Sequence, residues 1–332
     1  MNKDIKVFLV SPLSLPFVES DINLLKNHFQ LDFSVGGGIK TLIKTFYKSF
    51  KADINFAWFG SVYSFFMVLG SKLAGNKSLI ILGGVDTAKD KSLNYGIWLS
   101  KWKPILLRFA LRNADKVFAV DQSLIEQLKK ASGWQAEKVE VLPTGFDSNF
   151  WKPKFPKEKL VLTVANCYSK QRLKVKGIDI ILEAAGRLHD TQFCIVGIHQ
   201  DLLKHFDIEN LSNVKIIPPV SRQKLLDYYS RAKVYCQVSR HEGLPNTLCE
   251  AMLCGCIPIG TNIGGIPTAI SKYGFIINNE NIENLCESIE KALELNTDAG
   301  LKGRQYILEK FDFENREKKI VEIINNLAKQ NS

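Results

Sequence analysis

The chain has 332 residues, 45% of them hydrophobic and 23% charged, which excludes a disordered, collagen-like or coiled-coil protein. At about 150 residues per domain, that length predicts two domains. Lys and Arg number 44 against 34 Asp and Glu, and the net charge of +10 points to an anionic partner: nucleic acid, an acidic membrane face or a phosphorylated small molecule.

The opening residues, 1–6, run into the strand-like VFLV without the apolar core of a signal peptide. Strand-like runs then fall at 6–10, 31–35, 54–58, 79–82, 116–120 and 139–142, separated by helical stretches at 20–29, 39–50, 61–74, 96–113 and 121–131. This alternation is that of βαβ units and predicts a parallel sheet covered on both faces. The uncharged stretch 54–71 is borderline in length for a membrane span, but Gly60 divides it into a strand and a buried helix.

Pro143, Pro153 and Pro156 break the rhythm and mark a link between domains. A second alternation follows, with strands at 160–165, 193–197, 214–217, 233–238, 257–260 and 273–277. Its helices fall at 177–188, 221–231, 245–254 and 282–294, and a charged amphipathic helix closes the chain at 312–329. The expected architecture is α/β: two Rossmann-like doubly wound domains, 1–150 and 151–310, facing across a cleft, with a terminal helix in 311–332 packing back toward the first. Ligands of such sheets bind beyond the C-terminal ends of the strands. Seven cysteines, all from Cys167 onward, an odd number without a C-x-x-C pair, predict reduced thiols in a cytosolic protein and no zinc site.

The segment after the 233–238 strand is the most informative. Pro245 is suited to open a helix and Gly255 to end it. The free N–H groups of Asn246 and Thr247, with the helix dipole, form an anion site. Glu242 precedes that site and Glu250 lies about 6 Å along the helix. A nucleoside diphosphate sugar has the matching order of sugar hydroxyls, diphosphate and ribose diol. The competing reading is that the two glutamates cap and solvate a surface helix.

Glu242-Gly243-Leu244-Pro245, Glu250-Ala251-Met252, Gly255-Cys256-Ile257-Pro258 and Gly264-Gly265-Ile266-Pro267 together resemble the signature of family 4 glycosyltransferases. These are retaining enzymes with the GT-B fold. The resemblance extends to Ala114-Asp115-Lys116-Val117 and to 139–147, where Thr144 replaces the usual Asn. It implies that Glu242 touches the donor sugar near its 3- and 4-hydroxyls, that Glu250 binds the ribose, and that Gly243, Leu244, Pro245, Asn246 and Thr247 cradle the donor. It implies further that Lys176, before Gly177, neutralises the departing diphosphate with an Arg partner. Asn166 stands where that Arg is usual, so Arg172 in the loop CYSKQRLKV is assigned the role; the alternative is that this loop is a solvated basic turn. Pro218, Pro219 and Val220 fall near the nucleobase. The resemblance implies no metal and no cofactor, only a nucleoside diphosphate sugar as co-substrate, with a UDP-sugar favoured.

In the first half, Gly36-Gly37-Gly38-Ile39-Lys40-Thr41 lacks the Gly before Lys of a P-loop and reads as a permissive turn. Asp86, after Gly83-Gly84-Val85, either orients an acceptor hydroxyl or makes a local Asx-turn. Ser14, Pro16 and Phe17 occupy the place of the family's Gly-Gly loop. Segment 96–112 mixes Trp98, Trp102 and Phe109 with Lys101, Lys103, Arg108 and Arg112, the pattern either of a helix on an anionic membrane or of one with a core side and a wet side. The expected function is retaining glycosyl transfer to a glycan or lipid-linked acceptor in cell-surface polysaccharide or glycolipid synthesis, in the cytoplasm or on the cytoplasmic membrane face. A sugar-nucleotide epimerase of the same fold and a catalytically silent binding protein are the rivals. No nucleic-acid reader motif is found, and nucleic acid is not expected as a partner.

Overall fold

A computed structural model describes residues 4–205, 211–278 and 280–330; the reading of residues 1–3, and the last two residues of the predicted 311–332 segment, lie outside them. The chain divides into two units, one reaching Thr144 and resuming at Glu314, the other Gly145–Phe313.

The first unit runs β1 (Lys6–Ser11), α1 (Pro16–His28), β2 (Gln30–Val35), α2 (Ile39–Ser49), β3 (Ile54–Trp58), α3 (Val62–Ala74), β4 (Lys77–Leu82), α4 (Lys103–Asn113), β5 (Lys116–Ala119), α5 (Gln122–Ser132) and β6 (Val139–Val141). The strands pair in parallel in the order β2-β1-β3-β4-β5-β6. All five residues of β3 are buried, because helices cover both of its faces. The uncharged stretch 54–71 is thus β3 and most of α3, and no helix among the described residues is long and apolar enough to cross a membrane. The predicted helix 96–113 is two pieces, a 3-10 turn at Ile97–Leu99 and α4, since Pro104 opens a new helix.

The second unit runs β7 (Glu158–Cys167), α6 (Lys170–Val175), α7 (Ile178–Arg187), β8 (Gln192–Ile198), β9 (Val214–Ile217), α8 (Arg222–Arg231), β10 (Ala232–Gln237), α9 (Asn246–Leu253), β11 (Ile257–Thr261), α10 (Ile266–Ile270), β12 (Phe275–Ile277), α11 (Ile282–Glu294) and α12 (Thr297–Lys310). Its parallel order, β12-β11-β10-β7-β8-β9, is that of a doubly wound nucleotide-binding sheet, with the order reversing between β7 and β10. Ile195, Val234 and Ile259 from the strands pack with Ile181, Leu285 and Ile289 in its core. All seven cysteines are free thiols.

Several expectations shift. The first unit ends at Thr144, not 150, because Phe146 N–H donates to the Phe311 carbonyl at 2.9 Å and Trp151 is buried with its ring 5.5 Å from Tyr229. The predicted loop around 170–175 is α6, capped by the Ser169 hydroxyl. α12 was not expected: Gly300 and Gly303 weaken its pattern, but a Cβ at 300 would lie 2.1 Å from the Gly255 carbonyl oxygen, so tight packing demands the glycine.

The last helix, α13 (Phe313–Lys329), is tied to the first unit by a buried arginine. Arg316 donates to both carboxylate oxygens of Asp21, at 3.0 and 2.7 Å, and Asp21 also accepts from the Trp58 indole at 2.9 Å. The pair is 5% and 1% exposed, so its charges are compensated by each other and by these hydrogen bonds.

Candidate functional site

The candidate site of the second unit forms at the reversal of its strand order, beyond the C-terminal ends of β7 and β10. Gly177 has φ +67, and a Cβ there would lie 2.1 Å from the Val238 carbonyl oxygen. Only glycine permits this approach, and it brings Lys176 alongside the loop that leaves β10. Lys176 Nζ donates to Glu242 Oε2 at 2.6 Å, with both side chains largely buried at 14% and 13% exposure. Two residues chosen for separate tasks therefore meet as a short charge-assisted pair.

The loop carrying Glu242 is clamped from three directions. Arg240 N–H donates to the Val175 carbonyl at 2.8 Å, and its guanidinium makes a fork to Asp179 at 2.8 and 2.9 Å and reaches Glu280 at 2.6 Å. Thr261 Oγ1 donates to the Ser239 carbonyl at 2.7 Å. Gly265 N–H donates to the Gly243 carbonyl at 2.8 Å, while Gly264, at φ +56, lies where a Cβ would be 2.1 Å from the Glu242 carbonyl oxygen. The Gly-Gly-Ile-Pro motif is thus the backbone seat for Glu242.

Behind the pair lies a polar chain. Gln237 Nε2 reaches Glu242 Oε2 at 3.5 Å and donates to Ser239 Oγ at 2.9 Å, and its Oε1 accepts from Tyr235 and Thr247, each at 3.1 Å. Arg240, Gln237 and Tyr235 went unread in the sequence. Tyr235 and Gln237 stand two apart on one strand and so share a face, whereas nothing local marks Arg240.

α9 begins at Asn246, with Pro245 at its N-cap and not in its first turn. Leu244 is buried, 5% exposed, and Gly243 and Pro245 are buried with it, while Asn246 and Thr247 reach the surface. Glu250 follows in the same helix and accepts from the buried Tyr229 hydroxyl at 3.3 Å. Desolvation pushes its carboxyl up to about 7, opposed by the Arg222 charge and the Tyr229 hydrogen bond. Arg222, at the start of α8, lies over the rings of Phe150 and Trp151 at 4.9 and 5.3 Å. Pro219 and Val220 sit between β9 and α8, at the same edge of the sheet.

Arg172 lies on α6. Its Nε is buried without a hydrogen-bond partner, a costly state for a guanidinium. The nearby Cys167 thiol is pushed up to about 11 by burial, with Arg172 and then Lys176 pulling it back, so both cations sit at the end of β7.

In the first unit Asp86 is fully buried. Its carboxylate accepts from the N–H groups of Gly60 at 2.9 Å, Gly84 at 2.7 Å and Gly83 at 3.1 Å. Burial raises its pKa while these bonds lower it. This corrects the assignment of Asp86 as a catalytic group orienting a hydroxyl: the carboxylate closes the loop after β4. The Gly36–Gly38 run is an open turn, with Gly38 N–H donating to Tyr63 Oη at 2.7 Å. Pro16 opens α1, Ser14 donates to Glu19 at 3.0 Å, and the Phe17 ring packs 4.8 Å from Trp58.

Residues 146–307, nearly the whole second unit, match the family model for glycosyl transferases group 1. The architecture recurs in HepE of Anabaena crystallised with UDP and glucose, with TM-score 0.77, 17% identity and coverage of 97% of this chain and 99% of that one. It recurs also in sucrose-phosphate synthase of Thermosynechococcus elongatus, with TM-score 0.79, 14% identity and the same coverage. The fold is that of GT-B glycosyltransferases, and the second unit is similar to the group 1 glycosyl transferase domain.

Among curated relatives, the GPI3 subunit of phosphatidylinositol N-acetylglucosaminyltransferase of Saccharomyces cerevisiae is 22% identical over 260 residues, covering 71% of this chain and 55% of that protein. D-inositol 3-phosphate glycosyltransferase of Paenarthrobacter aurescens is 24% identical over 186 residues, covering 50% and 45%. The chain spans about half the length of these relatives.

Proposed function

We propose that the chain transfers a sugar from a nucleoside diphosphate sugar to a glycan or lipid-linked acceptor with retention at the anomeric carbon, as a family 4 glycosyltransferase. The observation that carries this reading is the meeting of Lys176 and Glu242 at the sheet's switch point, with Arg172, whose buried Nε has no hydrogen-bond partner, near the end of the same strand. In the proposed reaction the bond from the anomeric carbon to the diphosphate breaks through an oxocarbenium-like state. Negative charge then grows on the leaving group. Lys176, Arg172 and the N–H groups opening α9 stabilise that charge, all fixed before the reaction begins. Glu242 accepts hydrogen bonds from the sugar hydroxyls once the donor displaces it from Lys176, and Glu250 accepts from the ribose diol. The acceptor oxygen attacks from the face the diphosphate leaves, and the departing phosphate takes its proton. Fixed cations fill the electrostatic role, so no metal or cofactor is assigned.

UDP is the favoured carrier, because HepE has been crystallised with UDP and with UDP-glucose. The phosphatidylinositol- and inositol-phosphate-directed relatives support a polyol phosphate or lipid acceptor in cell-surface polysaccharide or glycolipid synthesis. The work would be done in the cytoplasm or at its membrane face, with segment 96–112 touching anionic lipid. Thermal shift with UDP, GDP, ADP and CDP on wild type and Glu250→Ala tests the donor site. One diphosphate should raise the melting temperature of wild type and lose that effect in the variant. No shift with any of the four at millimolar concentration contradicts the reading.

A further inference from the structure

α2 leaves a stripe of large apolar side chains exposed. The residues it buries are Thr45 and Ser49, polar and small enough for close packing on α3; the Ser49 hydroxyl would lie 1.9 Å from a Cβ placed at Gly70. Leu42 and Phe46 are half-buried, with the Phe46 ring 6.2 Å from Phe66 of α3, but Ile39, Ile43 and Tyr47 form a single stripe, each four positions from the last, and stand 68%, 52% and 66% exposed. Phe50 follows at 39%. A globular core explains a helix whose apolar stripe faces inward; this stripe faces out.

The charge around it is of one sign. α2, α3 and α4 pack side by side in the first unit. α2 carries Lys40, Lys44 and Lys48, α3 carries Lys72, and α4 carries Lys103, Arg108 and Arg112; none of the three helices contains Asp or Glu. Lys48 is paired with Asp32 of β2, and the other six cations are exposed. At the start of α4, Trp102 and Ile105 are 53% and 65% exposed. Beside the last turns of α2 opens a cavity of about 600 Å³ lined by Lys6, Lys44, Lys48 and Lys51, with Asp32 its one acidic residue. Ordinary protein surfaces intersperse both signs. An apolar and aromatic stripe flanked by lysines, with no carboxylate on its helix, is suited to lie among the headgroups of an anionic bilayer.

We propose that α2, with the first turn of α4, is a docking surface for an anionic lipid membrane. Ile39, Ile43, Tyr47, Trp102 and Ile105 enter the headgroup boundary, while Lys40, Lys44 and Lys103 meet lipid phosphates. α2 starts just past the C-terminal end of β2, so docking of its first turn brings that edge of the first sheet to the lipid. The proposal deepens the membrane contact assigned to 96–112 and is argued from the first unit alone; its test uses no sugar donor, so its failure and that of the transferase reading are separate results.

The test is co-sedimentation of the full chain with vesicles of phosphatidylcholine alone and of equal parts phosphatidylcholine and phosphatidylglycerol. The chain should partition only into the anionic vesicles, and added salt should release it. Replacing Ile43 and Tyr47 together by Ser should cut the partition about tenfold or more, with circular dichroism and melting temperature unchanged because both side chains are exposed. Lys302→Ser, a charge removed from an exposed site in the second unit, should leave the partition nearly intact. Absence of binding to anionic vesicles overturns the proposal, as does binding that the double variant leaves unchanged. A dimer in light scattering that the double variant dissociates, without vesicle binding, overturns it in favour of a second copy as occupant.

Discussion

Glu250 carries a carboxyl whose charge is set by its surroundings more than by its chemistry. Burial holds its pKa near 7, against an ordinary 4.5. Between those values the folded chain keeps a proton that the unfolded chain has released, so stability falls as pH rises from about 4.5, and the whole penalty is present above about 7. Glu250→Gln should therefore be more stable than wild type at pH 8, by on the order of 2 kcal/mol, and about equal to it near pH 4. Urea unfolding at the two pH values checks this; an equal effect at both would show that the carboxyl is not held protonated. Asp86 shows the opposite case, a buried carboxylate whose acceptor capacity is met by backbone N–H groups. The sequence held Glu242 and Asp86 in similar glycine-rich loops, and Glu250 in a helix. What separates them is the number of backbone N–H groups that turn toward each, a property of the loops' dihedral angles and not of residue type.

At the scale of elements, the site depends on glycines that let backbones touch. Gly177→Ala would set a Cβ 2.1 Å from the Val238 carbonyl and strain φ +67, which should cost about 2 kcal/mol or more and part Lys176 from Glu242. Melting temperature and diphosphate affinity should fall together; a variant of unchanged affinity would show that the turn does not set the pair. The βαβ rhythm was legible because strands buried on both faces must be continuously apolar, and nearly every predicted strand stands within two residues of its place. α12 and α6 were not legible. Gly300 of α12 serves packing against Gly255 and Gly303 lies against Met252 and Tyr273, and the charges of α6 hide a helix whose only local signal is the Ser169 cap. The sequence shows a membrane pattern at 96–112 but none that singles out α2, whose periodicity is that of any amphipathic helix; only burial shows which side faces in. Arg240 was illegible for a related reason, since its partners Asp179 and Glu280 come from distant points of the chain.

On the scale of the whole molecule, the net charge of +10 has two concentrations with different work. One is the α2–α4 layer of the first unit, cations around exposed apolar groups, fit for a surface. The other is the end of β7 in the second unit, where Lys176 and Arg172 are drawn inward and partly desolvated, fit for a compact anion. That inward pair is the centre of the account, and calorimetric titration of UDP into wild type, Lys176→Ala and Arg172→Ala tests it most directly. The account predicts saturable binding to wild type and a dissociation constant raised about tenfold or more in each variant, because each loses a charge-assisted bond to the diphosphate. Binding of UDP that neither substitution weakens would contradict it.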